Sequence, residues 1–195
     1  VKFLAFLGIW QHFTTPISEF DDEVFDGGLG FDGSSIRGWQ PINASDMAII
    51  PEPGTAKIDP FHAHKTLSLV CRVVDPITGQ SYGRDPRYIA RKAENHLKST
   101  GIADTAYFGP EAEFFVFDSI RYGSSPSGAF YEIDSDEAIW NSGKAAPNLG
   151  HRMRHKEGYF PVPPNDTLHD LRAEMMTVMM DVGLEVELGH HEVAT

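Results

Sequence analysis

The sequence predicts an α+β chain in two parts: a strand-rich part, residues 1–83, and a mixed part, residues 84–195. In the first part, apolar and β-branched runs end at turn clusters of Pro, Gly and Asp, which is typical of short strands. In the second part, apolar residues recur at helical spacing in two stretches. The hydrophobic content of 41% and the charged content of 23% are ordinary for a globular protein.

The elements of the first part follow from these runs. Strands are predicted at Val1–Leu7, Met47–Ile50 and Thr66–Val74. Between the first two, Ile17–Phe25 is predicted as one short helix with Ser18 as its N-cap. The first part is therefore expected to be a small, sheet-rich domain.

The second part begins with a helix over residues 86–99, because Asp85 is a good N-cap, Pro86 suits the first helical position and Gly101 suits the C-terminal end. The elements expected after it are a strand at 105–118, its hairpin partner at Ala129–Ile133, a long irregular stretch at Asn141–Pro164, a helix from Asp166 to Gly183, and a last strand at Leu184–Val193.

Charge and cysteine content exclude several classes of protein. The formal net charge of −12 makes nucleic acid or an anionic membrane surface a poor partner. The single Cys71 rules out an intrachain disulfide framework and fits a reducing compartment. No run approaches the roughly 18 apolar residues of a membrane span. We therefore expect a cytoplasmic protein.

A pair of carboxylates begins the predicted strand at 105–118. The period of two places Glu111 and Glu113 on one face, with Phe115 and Phe117. Two carboxylates about 7 Å apart repel each other, and a hard divalent cation bound by oxygen ligands would resolve that repulsion. The alternative is a solvated strand end, and spacing alone leaves both interpretations open.

A second acidic cluster lies near the end of the chain, where Glu187 is followed by Gly189, His190, His191 and Glu192. This segment lacks the second histidine of the zinc-protease motif, which excludes that class. In a regular strand Glu187 and Glu192 would face opposite ways, so we expect a bulge at Gly189 that turns both to one side. The glycine pattern Gly28–Gly33 is interpreted as a loop and not as a dinucleotide site, because no helix of useful length follows it.

Four motifs together resemble the type I glutamine synthetases of bacteria. They are Phe31–Trp39, Gly109–Phe115, Gly158–Pro161 and His190–Ala194, in the family's order and over nearly the whole chain. The resemblance implies an N-terminal, ubiquitin-like β-grasp domain at 1–83 and the first portion of a catalytic domain, with an antiparallel sheet and helices, at 84–195. It also implies the ATP-dependent conversion of glutamate and ammonia to glutamine through γ-glutamyl phosphate.

The same resemblance implies roles for individual residues. Asp32 matches the aspartate that binds ammonium and helps to deprotonate it, in a loop that serves the neighbouring subunit of a ring-shaped homo-oligomer. Glu111, Glu113 and Glu192 match ligands of two Mg²⁺ or Mn²⁺ ions, and Glu187 matches a nucleotide contact. Ser35, Trp39 and Tyr159 match neighbours of the active site.

Family members continue past the position of Thr195 with further metal, nucleotide and glutamate ligands. We therefore expect this chain alone to be inactive, and to self-associate through uncovered apolar surface. Two alternatives stay open: a non-catalytic assembly or regulatory module that inserts its Asp32 loop into a partner, and a related ligase that joins glutamate to a bulkier amine.

Overall fold

Strands and short helices alternate along the first half of the chain, and longer helices follow. The computed structural model describes residues 1–139 and 151–194, and all statements on its structure concern these residues. The α-helices are α1 (Asp22–Gly27), α2 (Pro86–Thr100) and α3 (His169–Asp181). The strands are β1 (Lys2–Leu4), β2 (Trp10–His12), β3 (Leu29–Asp32), β4 (Asp46–Pro51), β5 (Lys57–Ile58), β6 (Leu67–Ser68), β7 (Cys71–Val74), β8 (Ser119–Ser125) and β9 (Gly128–Asp134).

The chain divides into two units, Val1–Phe108 and Gly109–Thr195. This mixture of short antiparallel sheets and helices confirms the predicted α+β class. The helix α2 belongs to the first unit by its contacts, so that unit extends past residue 83, while the domain boundary at 83/84 stays a prediction. None of the described helices is long and apolar enough to cross a membrane.

The sheet of the first unit is built around β4. It pairs antiparallel with β3 on one side and with β7 on the other. The hairpin β1–β2 joins this sheet through a parallel bridge between Lys2 and Val70, where the Lys2 amide donates to the Leu69 carbonyl at 2.8 Å. The strand β1, near the start of the unit, therefore lies beside the segment that leads into β7.

The hydrophobic core lies on one face of this sheet. The side chains of Ile49 and Val73 are fully buried there, beneath a group of aromatic rings. Trp39 is central to that group, with its ring centroid 5.1 Å from that of Tyr82 and 5.8 Å from that of Phe3. Ala48, Ile50 and Val74 lie on the opposite face.

The helix α2 forms as predicted. The Asp85 carboxylate accepts from the Arg87 amide at 2.9 Å, Pro86 is the first helical residue, and Gly101 ends the helix with φ 70. The other carboxylate oxygen of Asp85 accepts from the Val73 amide at 3.1 Å. Asp85 is fully buried, so one side chain both caps the helix and joins it to β7.

Three predictions for the first unit are wrong. The first is the single strand Thr66–Val74, which is divided between β6 and β7 in two different sheets. The stretch Ile17–Phe25 is not one helix: a 3-10 turn at Ile17–Glu19 is followed by α1, which is capped by Asp21 and not by Ser18. The Gly28–Gly33 segment is not a loop, because Leu29–Asp32 forms β3 and pairs with β4. Gly28 is required there, since a Cβ atom would lie 2.7 Å from the Ile49 carbonyl oxygen.

In the second unit, the predicted strand at 105–118 is wrong, since residues 105–117 form no strand. The predicted partner Ala129–Ile133 is a strand, but it lies in β9 and pairs with β8. The predicted strand Leu184–Val193 is also wrong, and with it the bulge at Gly189. A strand requires a continuous run of partners for its backbone N–H and C=O groups. In the described residues the second segment has isolated bonds instead, such as those that the His191 and Val193 carbonyls accept from the Phe160 and Gly158 amides.

The second predicted helix begins at His169, three residues after Asp166, and stops before Gly183, which has φ 82. Asp166 still supports this end, since its carboxylate accepts from the Leu168 amide at 3.2 Å and pairs with Arg172. Of the predicted irregular stretch Asn141–Pro164, residues 141–150 lie outside the described residues, and 151–164 contain neither helix nor strand.

Candidate functional site

Two of the sequence motifs meet in the second unit. The Gly158 amide donates to the Val193 carbonyl at 3.2 Å, and the Phe160 amide donates to the His191 carbonyl at 3.3 Å. The rings of Tyr159 and Phe160 stack with centroids 4.0 Å apart. The His190 ring makes edge-to-face contacts with both, and its centroid lies 5.5 Å from that of Tyr159 and 4.7 Å from that of Phe160. The structure thus brings the Gly158–Pro161 and His190–Ala194 motifs together.

A buried carboxylate, Glu137, holds the histidine segment. One Glu137 oxygen accepts from the Thr167 amide at 2.6 Å and from the Thr167 hydroxyl at 2.7 Å. The other lies 2.9 Å from the Nε2 atom of His191. Side-chain exposure is 8% for both Glu137 and His191, so this contact is shielded from water. Removing one partner of a buried pair is strongly destabilising, because the other charge is then left uncompensated.

The surroundings of His191 favour its charged form. Its Nδ1 atom lies 2.8 Å from the Glu192 carbonyl oxygen and its Nε2 atom faces the Glu137 carboxylate, so both ring nitrogens meet acceptors. Burial lowers the pKa of His191, but hydrogen bonds to Glu137 and Glu192 and the charges of Glu137 and Asp166 outweigh it. The pKa of His191 is therefore raised above its ordinary value of 6.5.

Glu192 itself is half-buried beside this network. A carboxylate oxygen of Glu192 lies 3.5 Å from the Nδ1 atom of His190. Its backbone carbonyl is the acceptor facing His191. The predicted metal ligand Glu192 thus lies on a segment with two sets of contacts: Glu137 contacts His191, and the Tyr159–Phe160 pair contacts His190.

The other predicted acidic ligands are not gathered there. Glu111, Glu113 and Glu187 are exposed and lie in segments without regular secondary structure. Among residues 1–139 and 151–194, no three His, Cys, Asp or Glu side chains are placed to hold a metal ion. Carboxylates are the right donors for Mg²⁺ or Mn²⁺. Within the described residues, however, these carboxylates are not gathered into a metal site.

The Asp32 loop is ordered by its own hydrogen bonds, in the first unit. One Asp32 oxygen accepts from the Ser34 amide at 2.8 Å and the Ser34 hydroxyl at 2.6 Å, and the other accepts from the Ser35 hydroxyl at 3.0 Å. These bonds, chiefly those from Ser34, lower the pKa of Asp32. The result is an exposed carboxylate that stays ionised near neutral pH.

The remaining predicted neighbours lie in different surroundings. Ser35 is exposed and bonds Asp32. Tyr159 is 56% exposed, in the stack with Phe160. Trp39 is 4% exposed and packs in the core, so the structure gives it a packing role. Its indole N–H has no hydrogen-bond partner in the part of the chain that the structure describes.

Sequence reasoning missed Glu137 and Thr167. Glu137 follows β9 in an acidic run, Asp134–Glu137, that looks like a solvated turn. The one available signal is the acidic run itself, because neighbouring carboxylates repel each other unless hydrogen-bond donors face them. The donors that face Glu137 are Thr167 and His191, which are 30 and 54 residues away in the sequence. Nothing local to the sequence identifies such partners.

Comparison with known proteins agrees with the resemblance seen in the motifs. The family model for the β-grasp domain of glutamine synthetase matches residues 1–76, and the model for its catalytic domain matches residues 83–195. The chain is 56% identical to the glutamine synthetase of Aquifex aeolicus over 195 residues, covering all of the chain and 41% of that protein. It is also 56% identical to that of Mycobacterium bovis over 200 residues, covering 42% of that protein.

Solved structures show the same fold. The glutamine synthetase of Plasmodium falciparum, at 23% identity, superposes with a TM-score of 0.85 over all of the chain and 38% of that structure. The chain spans about two fifths of the length of the curated relatives it matches. The predicted β-grasp domain followed by part of a catalytic domain is thereby confirmed, and the chain belongs to the glutamine synthetase family.

Proposed function

We propose that the protein containing this chain is an ATP-dependent glutamate–ammonia ligase that forms glutamine through γ-glutamyl phosphate. The observation that carries the proposal is family membership across both domains, with all four motifs present in order. The finer assignments follow from those motifs: two Mg²⁺ or Mn²⁺ ions as cofactors, with ATP, glutamate and ammonium as substrates.

Asp32 is the proposed ammonium ligand. It is exposed, and hydrogen bonds from Ser34 and Ser35 keep it ionised. A fixed carboxylate attracts NH₄⁺, and Asp32 is also proposed to help to deprotonate the bound ammonium. An exposed loop of this kind also suits the proposed insertion into a neighbouring subunit of a ring-shaped homo-oligomer.

Glu111, Glu113 and Glu192 are the proposed metal ligands and Glu187 the proposed nucleotide contact, with Ser35, Trp39 and Tyr159 nearby. Glu192 is the best supported by geometry, because His190 and His191 hold its segment. The proposed domains are 1–83 and 84–195; the gap between the two family matches, residues 77–82, supports a boundary there. A cytoplasmic location is proposed on the single, buried free thiol of Cys71.

For the isolated 195-residue chain we propose no synthetase activity, because its described carboxylates do not form a metal site. Phosphate release is measured with ATP, Mg²⁺ and glutamate, with and without ammonium, for this chain and for the full-length protein. Ammonium-dependent release is expected from the full-length protein only, with Glu113→Gln lowering it at least a hundredfold.

Two outcomes would count against these proposals. Turnover by the isolated chain that is lost in Glu113→Gln would overturn the inactivity. Preference of the full-length protein for methylamine over ammonium would replace the proposed substrate with an amine. Glu132→Gln, on the exposed surface of β9, is the matched control for a lost carboxylate.

A further inference from the structure

A groove of about 710 Å³ lies in the first unit, on the face of the sheet opposite the aromatic core. Phe25 of α1 lines one side, and Ala90 and Arg91 of α2 line another. Ile50 of β4 and Arg72 of β7 are cross-strand partners and form its floor. A volume of this size falls in the range of small-molecule sites, roughly 300–1,000 Å³.

The groove is basic, in a chain whose net charge is −12. Three arginines line it, Arg72, Arg87 and Arg91, together with two carboxylates, those of Glu52 and Glu94. Glu52 pairs with Arg87 and, at 3.5 Å, with Arg91. Glu52 therefore holds Arg87 and Arg91 in place. Both of its carboxylate oxygens are engaged by these two arginines, and Arg72 is not paired with it.

Two groups of donors have no acceptor. The Nε atom of Arg87 is buried without a hydrogen-bond partner among residues 1–139 and 151–194. In the same part of the chain, the guanidinium of Arg72 makes neither an ion pair nor a hydrogen bond. The Nε atom of Arg87 is closed off from the groove, whereas the guanidinium of Arg72 is half-buried and lines it, so Arg72 is the donor that a ligand can reach.

Phe25, Ile50, Pro51 and Pro53 supply an apolar wall beside these donors. Apolar lining with a few convergent polar groups is the usual composition of a site for a small organic ligand. Guanidinium groups bind carboxylate and phosphate oxygens through paired hydrogen bonds. The lining thus selects an anionic group on one side and an apolar body on the other.

We propose that this groove binds a small organic oxyanion, a phosphate or carboxylate attached to an apolar group, through the guanidinium of Arg72, with Arg87 and Arg91 beside it. The apolar group lies along Phe25 and Ile50. The inference goes beyond the proposed ligase activity and does not rest on it, because every residue involved lies in the first unit.

The test is a calorimetric titration of the chain with phenyl phosphate and with inorganic phosphate, at constant ionic strength. Phenyl phosphate is expected to saturate one site and to bind at least fivefold more tightly than phosphate, because only the former reaches the apolar wall. Arg72→Gln should weaken the binding of phenyl phosphate at least tenfold. The matched control Arg37→Gln removes the same charge from an exposed position outside the groove and should leave binding unchanged.

A second measurement needs no variant. In a ¹⁵N–¹H spectrum, the Nε–H signal of Arg72 should shift with saturation as phenyl phosphate fills the groove. Three outcomes would each overturn the proposal. They are the absence of saturable binding, equally weakened binding in Arg72→Gln and Arg37→Gln, and an Arg72 signal that does not move. A loss of ligase activity without loss of binding would concern the proposed function alone.

Discussion

The two units differ in what they bury. In the first, the buried residues are mostly apolar, with Ile49, Val73 and Trp39 at the centre. In the second, the buried set within residues 109–139 and 151–194 is mainly polar: Asp134, Ser135, Glu137, Asp166 and His191 are buried, against Ala138 and Met153. The first unit is therefore stabilised chiefly by the hydrophobic effect, and the second relies on a hydrogen-bonded ionic network.

At the surface the two units are alike, because the first also exposes large apolar side chains, such as Phe61 and Phe108. Phe114, Phe115, Phe130 and Tyr131 of the second unit are each more than half exposed. Apolar surface of this kind indicates an interaction site or a tendency to associate, which supports the expectation that this chain self-associates. Burial of apolar side chains and burial of a polar network are thus two different ways in which units of one chain become ordered.

The largest effect is expected in the apolar core. Ile49→Ala should lower the free energy of unfolding by about 3–4 kcal/mol, because Ile49 is fully buried and its removal leaves a cavity. Leu188→Ala, at a side chain 72% exposed in the second unit, should stay within about 0.5 kcal/mol. Urea unfolding followed by fluorescence measures both, and equal losses would contradict the comparison.

A smaller loss is expected in the polar network. Glu137→Gln should destabilise by about 1–2 kcal/mol, because the buried His191 then loses the carboxylate that it faces. Glu132→Gln is the control, since its ion pair with Arg121 is exposed and worth less than about 0.5 kcal/mol. If both variants lowered the free energy of unfolding by the same amount, the buried network would contribute no more to stability than an exposed ion pair does.

The pH dependence sharpens the same contrast. Because the pKa of His191 is raised in the folded state, its contribution to stability is complete below the ordinary value of 6.5 and is lost as the pH rises through the folded pKa. Hydrogen exchange at the Thr167 amide, which donates to Glu137, should become several-fold faster above that range. Core amides such as Val73 are the internal control. Glu137→Gln should flatten the dependence, and an unchanged profile would exclude His191 as its source.

The smallest effect is expected at the start of α1. Asp21→Ala removes the acceptor for the Glu23 amide and should cost about 1 kcal/mol or less, since the helix has six residues. Ser18→Ala serves as the control, because Ser18 does not cap this helix. Thermal unfolding distinguishes the two, and a larger loss in Ser18→Ala would restore the original assignment of the cap.

The features that could be predicted from the sequence are those whose interacting residues are close together in the chain. The ends of α2 follow from Asp85, Pro86 and Gly101, which act on their own turn of the helix. The start of α1 was missed because Ser18 and Asp21 are both good caps, and local preference cannot choose between them. The segments carrying Glu111, Glu113 and Glu187 alternate like strands, but alternation does not supply a pairing strand. Glu137 was missed because its partners are distant in sequence.

The double role of Asp85 has a consequence for how the chain tolerates change. Its carboxylate bonds both α2 and β7 and so fixes the position of the helix relative to the strand. The loop between β7 and α2 is therefore not needed to fix that position. At the tip of that loop, Ile77 is 93% exposed, and the Asp75–Gln80 and Val73–Tyr82 backbone bonds close the loop beneath it. Extra residues inserted at Ile77–Gly79 would lengthen a solvent-exposed turn while the helix stays in place. This loop is where the domain can accept a tag, a label or a foreign segment.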